Sequence, residues 1–236
     1  MPNPIASRRD FIQAAGLAAG LGGLKTLVAG EATNEAPADP NAVLASLIEG
    51  NRRFVAGTPS LLSRRRPEDF AALAEGQTPT AIIVACADSR VAPELIFDQG
   101  VGDLFVIRIA GNVVTGAGPV VKGSLEFAVA ELGARLILVL GHTACGAVKA
   151  AVEHIDKKDK LPGSIEGLVD LIRPAVVAAA GQPGDKVDNV IKTNVKRCVE
   201  TIKGVDPILS KVAASGELKV VGGVYDLKSG RVEILD

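Results

Sequence analysis

Two short apolar runs, each ending in a cluster of metal-type ligands, limit what this chain can fold into. Ala81-Ile82-Ile83-Val84-Ala85 runs into Cys86-Ala87-Asp88-Ser89-Arg90, and Leu136-Ile137-Leu138-Val139-Leu140 runs into Gly141-His142-Thr143-Ala144-Cys145-Gly146. Runs of this length, bounded by glycine and small polar residues, read as strands buried on both faces, as in a parallel sheet. Two such strands bring Cys86, His142 and Cys145 to one edge of the sheet, and the carboxyl edge of an open α/β sheet is where sites form. Two thiolates and an imidazole suit Zn²⁺, and three protein ligands leave a fourth position for water.

The rest of the chain supplies the frame. Residues 104–109 read as a further strand, with a turn at 110–112 and a small-residue loop at 115–118. Residues 218–226 and 231–235 form a hairpin about Lys228-Ser229-Gly230. Helical periods cover 42–54, 120–132, 145 to about 155, 164–180, 187–202 and 208–214, with a short helix at 67–75. Asn41 is read as the cap of the first helix, opened by Pro40, and Gly133 as a C-cap. Strands alternating with helices imply a parallel sheet covered by helices on both faces.

Composition excludes several classes of function. With 26 basic and 27 acidic residues, the net charge of −1 offers no electrostatic case for nucleic acid or an anionic membrane. Aromatics at 3%, with no Trp, argue against base stacking or sugar binding. Three cysteines make no disulfide framework. Cys198, on a helical stretch, reads as a small buried hydrophobe. His154 reads as part of a solvated helix end, and Arg64-Arg65-Arg66 as a solvated loop.

The first residues read as an address. Ser7-Arg8-Arg9-Asp10-Phe11-Ile12 precedes a weakly hydrophobic Gly/Ala-rich stretch to Leu24, the layout of a signal peptide. The paired arginines resemble the twin-arginine type, which implies the twin-arginine export machinery as a partner and a periplasmic or otherwise exported protein. The stretch is too glycine-rich, and too interrupted by Lys25, for a stable membrane span. Residues 1–38 are thus expected to be signal peptide and linker, and 39–236 a catalytic domain.

Cys-x-Asp-Ser-Arg at 86–90 followed by His-x-x-Cys at 142–145 resembles the β-class carbonic anhydrases. So do Glu49-Gly50-Asn51-Arg52-Arg53-Phe54, Phe105-Val106-Ile107-Arg108, Gly111-Asn112 and Val224-Tyr225-Asp226-Leu227. The resemblance runs from about Asn41 onward. It implies an α/β fold with a four-stranded parallel sheet, one antiparallel edge strand and an N-terminal helical arm reaching onto a second copy in a homodimer or higher homo-oligomer. It implies one Zn²⁺ per chain on Cys86, His142 and Cys145, with Asp88 and Arg90 as the catalytic pair. It also implies that Gln77, Phe105, Phe127 and Gly146 bind substrate. Ile109 stands where the family often has Asn, and Ala110 where some members have a larger aliphatic residue.

The activity implied is reversible hydration of carbon dioxide to bicarbonate and a proton by zinc-bound hydroxide. Asp88 would orient the nucleophile, held off the metal by a bidentate pair with Arg90. Asp88 as fourth zinc ligand would instead make a closed form, and the resemblance of Gln77, Phe105 and Phe127 to the open subgroup leads us to expect the open one. Hydrolysis of carbonyl sulfide or carbon disulfide on the same scaffold is an alternative. A non-catalytic zinc-binding or bicarbonate-sensing module is another.

Overall fold

The computed structural model describes residues 39–60, 70–114, 116–157 and 159–235. The expected signal peptide, the basic run at 64–66 and the start of the 67–75 helix lie outside them. Among the described residues, β1 (Ala81–Ala85), β2 (Leu104–Arg108), β3 (Leu136–His142), β4 (Lys219–Tyr225) and β5 (Val232–Leu235) make one sheet in the order β2-β1-β3-β4-β5. The first four strands pair in parallel, and β5 pairs antiparallel with β4. The expected sheet and its antiparallel edge strand are both present.

β1 and residues 136–140 of β3 are apolar at every position because both faces of the sheet are covered. Ile82, Val84, Ile137 and Val139 face one core. It is closed by α3 (Pro119–Ala130), α4 (Gly146–Lys157), α5 (Ile165–Ala178), α6 (Lys186–Lys203) and α7 (Leu209–Ala214). Ala81, Ile83, Ala85, Leu136, Leu138 and Leu140 face the other. That side is covered by α1 (Pro40–Ala56) and the short α2 (Pro93–Ile96). The strict alternation is the two-residue period of a strand.

Several local expectations shift. The cap of α1 is Asp39, whose carboxylate accepts the Asn41 N–H at 3.0 Å. Pro40 has no N–H to donate and sits well at the first helical position, so the cap falls on the residue before it. Gly57 closes the helix with φ at 68°. α3 stops at Ala130, and the chain turns through Gly133, so that the Ala134 N–H reaches the Ala128 carbonyl. β3 runs two residues further than expected, because Gly141 and His142 pair with Val224 and Tyr225. α2 was not foreseen: four residues are too few to show a helical period.

α1 packs on its own chain. Val43 and Leu47 are buried against the sheet, so part of the apolar face assigned to a partner is already taken. Buried Asn51 donates to the Ile96 and Gly230 carbonyls and accepts from the Val232 N–H, joining α1 to α2 and to the hairpin. Gly50 lies so close to α2 that an added Cβ would stand 1.8 Å from the Phe97 carbonyl oxygen. Backbone cannot yield as a side-chain tip does, so Gly50→Ala should lower unfolding stability by about 3 kcal/mol. Urea denaturation checks this, and an unchanged midpoint would contradict the close approach.

Candidate metal centre

The register of β1 and β3 builds the site. Ala85 lies beside Leu140, so Cys86, just past β1, and His142, at the end of β3, emerge together at the carboxyl edge. The chain then reverses through Ala144, which holds a left-handed φ of 56°. This places Cys145 immediately before α4. The Cys86 and Cys145 sulfurs stand 4.0 Å apart. With a ring nitrogen of His142, all three donor atoms lie within 4.8 Å of one another. Cys86, His142 and Cys145 are 4%, 0% and 1% exposed.

The environment of each donor suits a cation. The Thr143 carbonyl, 3.0 Å from His142 Nδ1, can only accept, so Nδ1 carries the proton and Nε2 offers its lone pair. Nε2 is buried without a hydrogen-bond partner. A buried acceptor left this way costs about 1–3 kcal/mol, which a metal ion would recover. The Gly111 N–H donates to Cys86 Sγ at 3.2 Å. The Cys86 thiol is pushed down, first by the hydrogen bond with Cys145 and also by the Gly111 N–H, against the cost of burial. Cys145 is pushed up by that same bond, by burial and by the nearby Cys86 charge. The N–H groups of Ala147 and Val148 at the start of α4 act in the opposite sense, favouring its thiolate. A divalent cation bound here would displace the protons these sulfurs hold.

Asp88 and Arg90 form a fork beside the cluster. Arg90 Nε donates to Asp88 Oδ1 at 2.9 Å and Nη2 to Oδ2 at 2.7 Å, while the Arg90 N–H adds a bond of 3.0 Å to Oδ1. These bonds hold the Asp88 carboxyl well below the usual carboxylate range, against the effect of burial. Three of about four lone-pair positions are taken. A position remains on Oδ2, the oxygen 3.9 Å from His142 Nε2.

Sequence reasoning missed the groups that brace this loop. Arg108 donates to the Cys86 carbonyl at 3.1 Å and to the Asp88 carbonyl, clamping the segment between them. A charged residue closing an otherwise apolar strand was the available signal. Thr143 is itself pinned, its N–H on the Tyr225 carbonyl and its Oγ1 accepting from the Leu227 N–H. Ile109 meets the same loop through its backbone, with bonds to Ala85 and Ala87, while its side chain packs on the core.

The expected substrate residues are not gathered around the cluster within one chain. Gly146 is exposed next to Cys145. Phe105 pairs with Ile82, four residues back along β1 from Cys86, or about 13 Å at strand spacing. Gln77 precedes β1 and is exposed at the amino side of the sheet. Phe127 is 48% exposed on α3. A slot walled by Phe105 and Phe127 is therefore not formed around Cys86 by this chain alone. His154 bonds Asp159 instead of joining the cluster, and Cys198 is buried in the core, both as expected.

Comparison with known proteins places these residues in context. Residues 81–232 match the family model described as carbonic anhydrase. "Carbonic anhydrase 2" of Mycobacterium tuberculosis (strain ATCC 25618 / H37Rv) is 42% identical, over 84% of this chain and 94% of that protein. The carbonic anhydrase of Mycolicibacterium smegmatis is 39% identical, over 83% and 93%. The solved structure of the beta-carbonic anhydrase CcaA superposes with a TM-score of 0.64 at 29% identity, covering 82% of this chain and 95% of that one.

If the three donors form one centre, Cys145→Ala should abolish stoichiometric zinc. Metal analysis after dialysis against a mild chelator checks this, and full occupancy in the variant would contradict the assignment.

Proposed function

The chain belongs to the β-class carbonic anhydrase family, and on that premise we propose that it catalyses the zinc-dependent, reversible hydration of carbon dioxide to bicarbonate and a proton. The observation that carries this reading is the juxtaposition of a buried Cys-His-Cys donor set with an ionised carboxylate that has one lone-pair position left. Cys86, His142 and Cys145 would hold the zinc ion. Zinc there supplies the Lewis acidity that lets water act as a nucleophile at neutral pH.

The chain's own residues do the rest. Asp88 Oδ2 accepts a hydrogen bond from the attacking water and fixes its orientation. Arg90 keeps the carboxylate ionised and turned, since moving Asp88 toward the donor atoms would break two charge-assisted bonds. This favours the open arrangement over one with Asp88 as a ligand. Arg108 keeps Cys86 and Asp88 in fixed relation through their carbonyls. Burial of the three donors keeps bulk water away from them.

Because Gln77, Phe105 and Phe127 lie away from the cluster in one chain, a substrate pocket that contains them is completed between two copies. Val120 and Phe127, two turns apart on one side of α3, are 78% and 48% exposed, which suits a face covered by a partner. Diluting the protein until light scattering reports monomer should abolish activity. A fully active monomer would contradict the shared pocket.

Export is proposed from the N-terminal pattern alone. Two thiols as close as Cys86 and Cys145 are open to oxidation in an oxidising compartment, so delivery after folding and metal loading protects them. Arg8→Lys/Arg9→Lys should retain the protein inside the cell on fractionation. Unchanged delivery would contradict the twin-arginine route.

The test of the activity is stopped-flow carbon dioxide hydration by the zinc-loaded protein. Asp88→Asn, which weakens the acceptor and loses the fork, should keep zinc and lose roughly 10²–10⁴-fold in kcat. Wild-type protein with full zinc and no hydration would overturn the proposal.

A further inference from the structure

α6 carries a buried amide that the reaction does not explain. Asn194 is 4% exposed and lies among Val190, Ile191, Val195, Cys198 and Val199 on the face that packs on the sheet. A carboxamide there costs about 1–3 kcal/mol if it finds no partner, and an aliphatic side chain would fill the space without that cost. Asn194 Nδ2 donates to the Gly111 carbonyl at 2.9 Å. One turn along the helix, the Cys198 thiol reaches the next carbonyl, that of Asn112, at 3.6 Å.

The turn they hold needs holding. Gly111 and Asn112 are consecutive left-handed residues, with φ of 70° and 47°. A Cβ on Gly111 would stand 2.9 Å from Ile172 Cδ1 and 3.3 Å from Ala147 Cβ, and with φ at 70° this crowding favours glycine. The same residue sends its N–H to Cys86 Sγ at 3.2 Å. The depth of α6 is fixed independently by Val195. A Cβ on either Gly141 or Gly222 would meet a Val195 methyl at 2.6 Å, so this side chain is seated in a notch between two glycines of β3 and β4.

We propose that Asn194 is a positioning residue for the metal centre: by holding the Gly111 carbonyl it keeps the Gly111 N–H on the Cys86 sulfur. The proposal rests on the metal-binding reading given above and deepens it. An N–H bond to a thiolate ligand takes back part of the charge that sulfur gives the metal. With two thiolates in the donor set that withdrawal matters, because they would otherwise neutralise a divalent ion and blunt its Lewis acidity. In a site this dry, water cannot take the place of the N–H.

The test compares two neighbouring positions on α6. Asn194→Leu keeps the γ-branched shape, with added bulk, and removes the donor. It should weaken zinc binding roughly 10–100-fold in competition with a chelating dye. In the cobalt-substituted protein it should move the thiolate-to-metal charge-transfer band to lower energy. Val195→Ala loosens the packing of the same helix but leaves the amide. It should lower the urea midpoint while leaving zinc affinity and the band at their wild-type values. Asn194→Ser is a second variant without added bulk. In cadmium-loaded protein, the Gly111 amide proton should show scalar coupling to the metal in wild type and lose it in Asn194→Ser. Wild-type zinc affinity and an unmoved band in Asn194→Leu, coupling retained in Asn194→Ser, or equal changes in Val195→Ala would each overturn the proposal. Stoichiometric zinc in wild type upholds the metal centre in all those cases. A wild-type chain that binds no zinc overturns the centre and this inference together.

Discussion

The parallel pairing of β1 with β3 is the constraint on which the rest depends. Neither strand carries a complete site. Their register sets Cys86 beside His142, and the extension of β3 along β4 fixes the His142 backbone before its side chain meets anything else. A slip of one residue would turn Cys86 to the other face of the sheet and dissolve the cluster. Both cores oppose such a slip, since every position of β1 is buried, with alternate residues committed to opposite sides.

Around this pair, backbone groups stabilise charge where solvent cannot. One sulfur receives the Gly111 N–H, the other faces the first N–H groups of α4, and the imidazole is oriented by the Thr143 carbonyl. Two of these partners are held in turn from other elements: Gly111 by Asn194 on α6, Thr143 by the end of β4 and the start of the hairpin turn. The buried donors are thus held by backbone groups of the fold, which lowers the cost of organising them around an ion. Asp88 differs in kind: Arg90 holds it ionised at the rim, and it faces the donors instead of joining them.

The sheet and the three donor residues were legible because they rest on local signals. A five-residue apolar run ending in Cys86 or approaching His142 leaves little else that it could be. The Asp88–Arg90 fork was legible because two residues of separation on one loop suffice for it. The parts that were not legible depend on contacts between distant segments. Asn194 looks like any polar residue on an amphipathic helix until α6 is laid against the 110–112 turn, 83 positions away. The displacement of Phe105 from the cluster follows from β2 register, which the sequence does not display. The Asp39 cap was missed for a smaller reason: Pro40 and Asn41 are both good helix starters, and only the geometry separates them.

X-ray absorption at the zinc edge of the purified, zinc-loaded chain tests the central claim most directly. The account predicts one zinc per chain with two sulfur neighbours near ~2.3 Å and one nitrogen near ~2.0 Å, completed by a light atom that exchanges with solvent. Four protein ligands with a carboxylate in the remaining position, or fewer than two sulfurs, would contradict it.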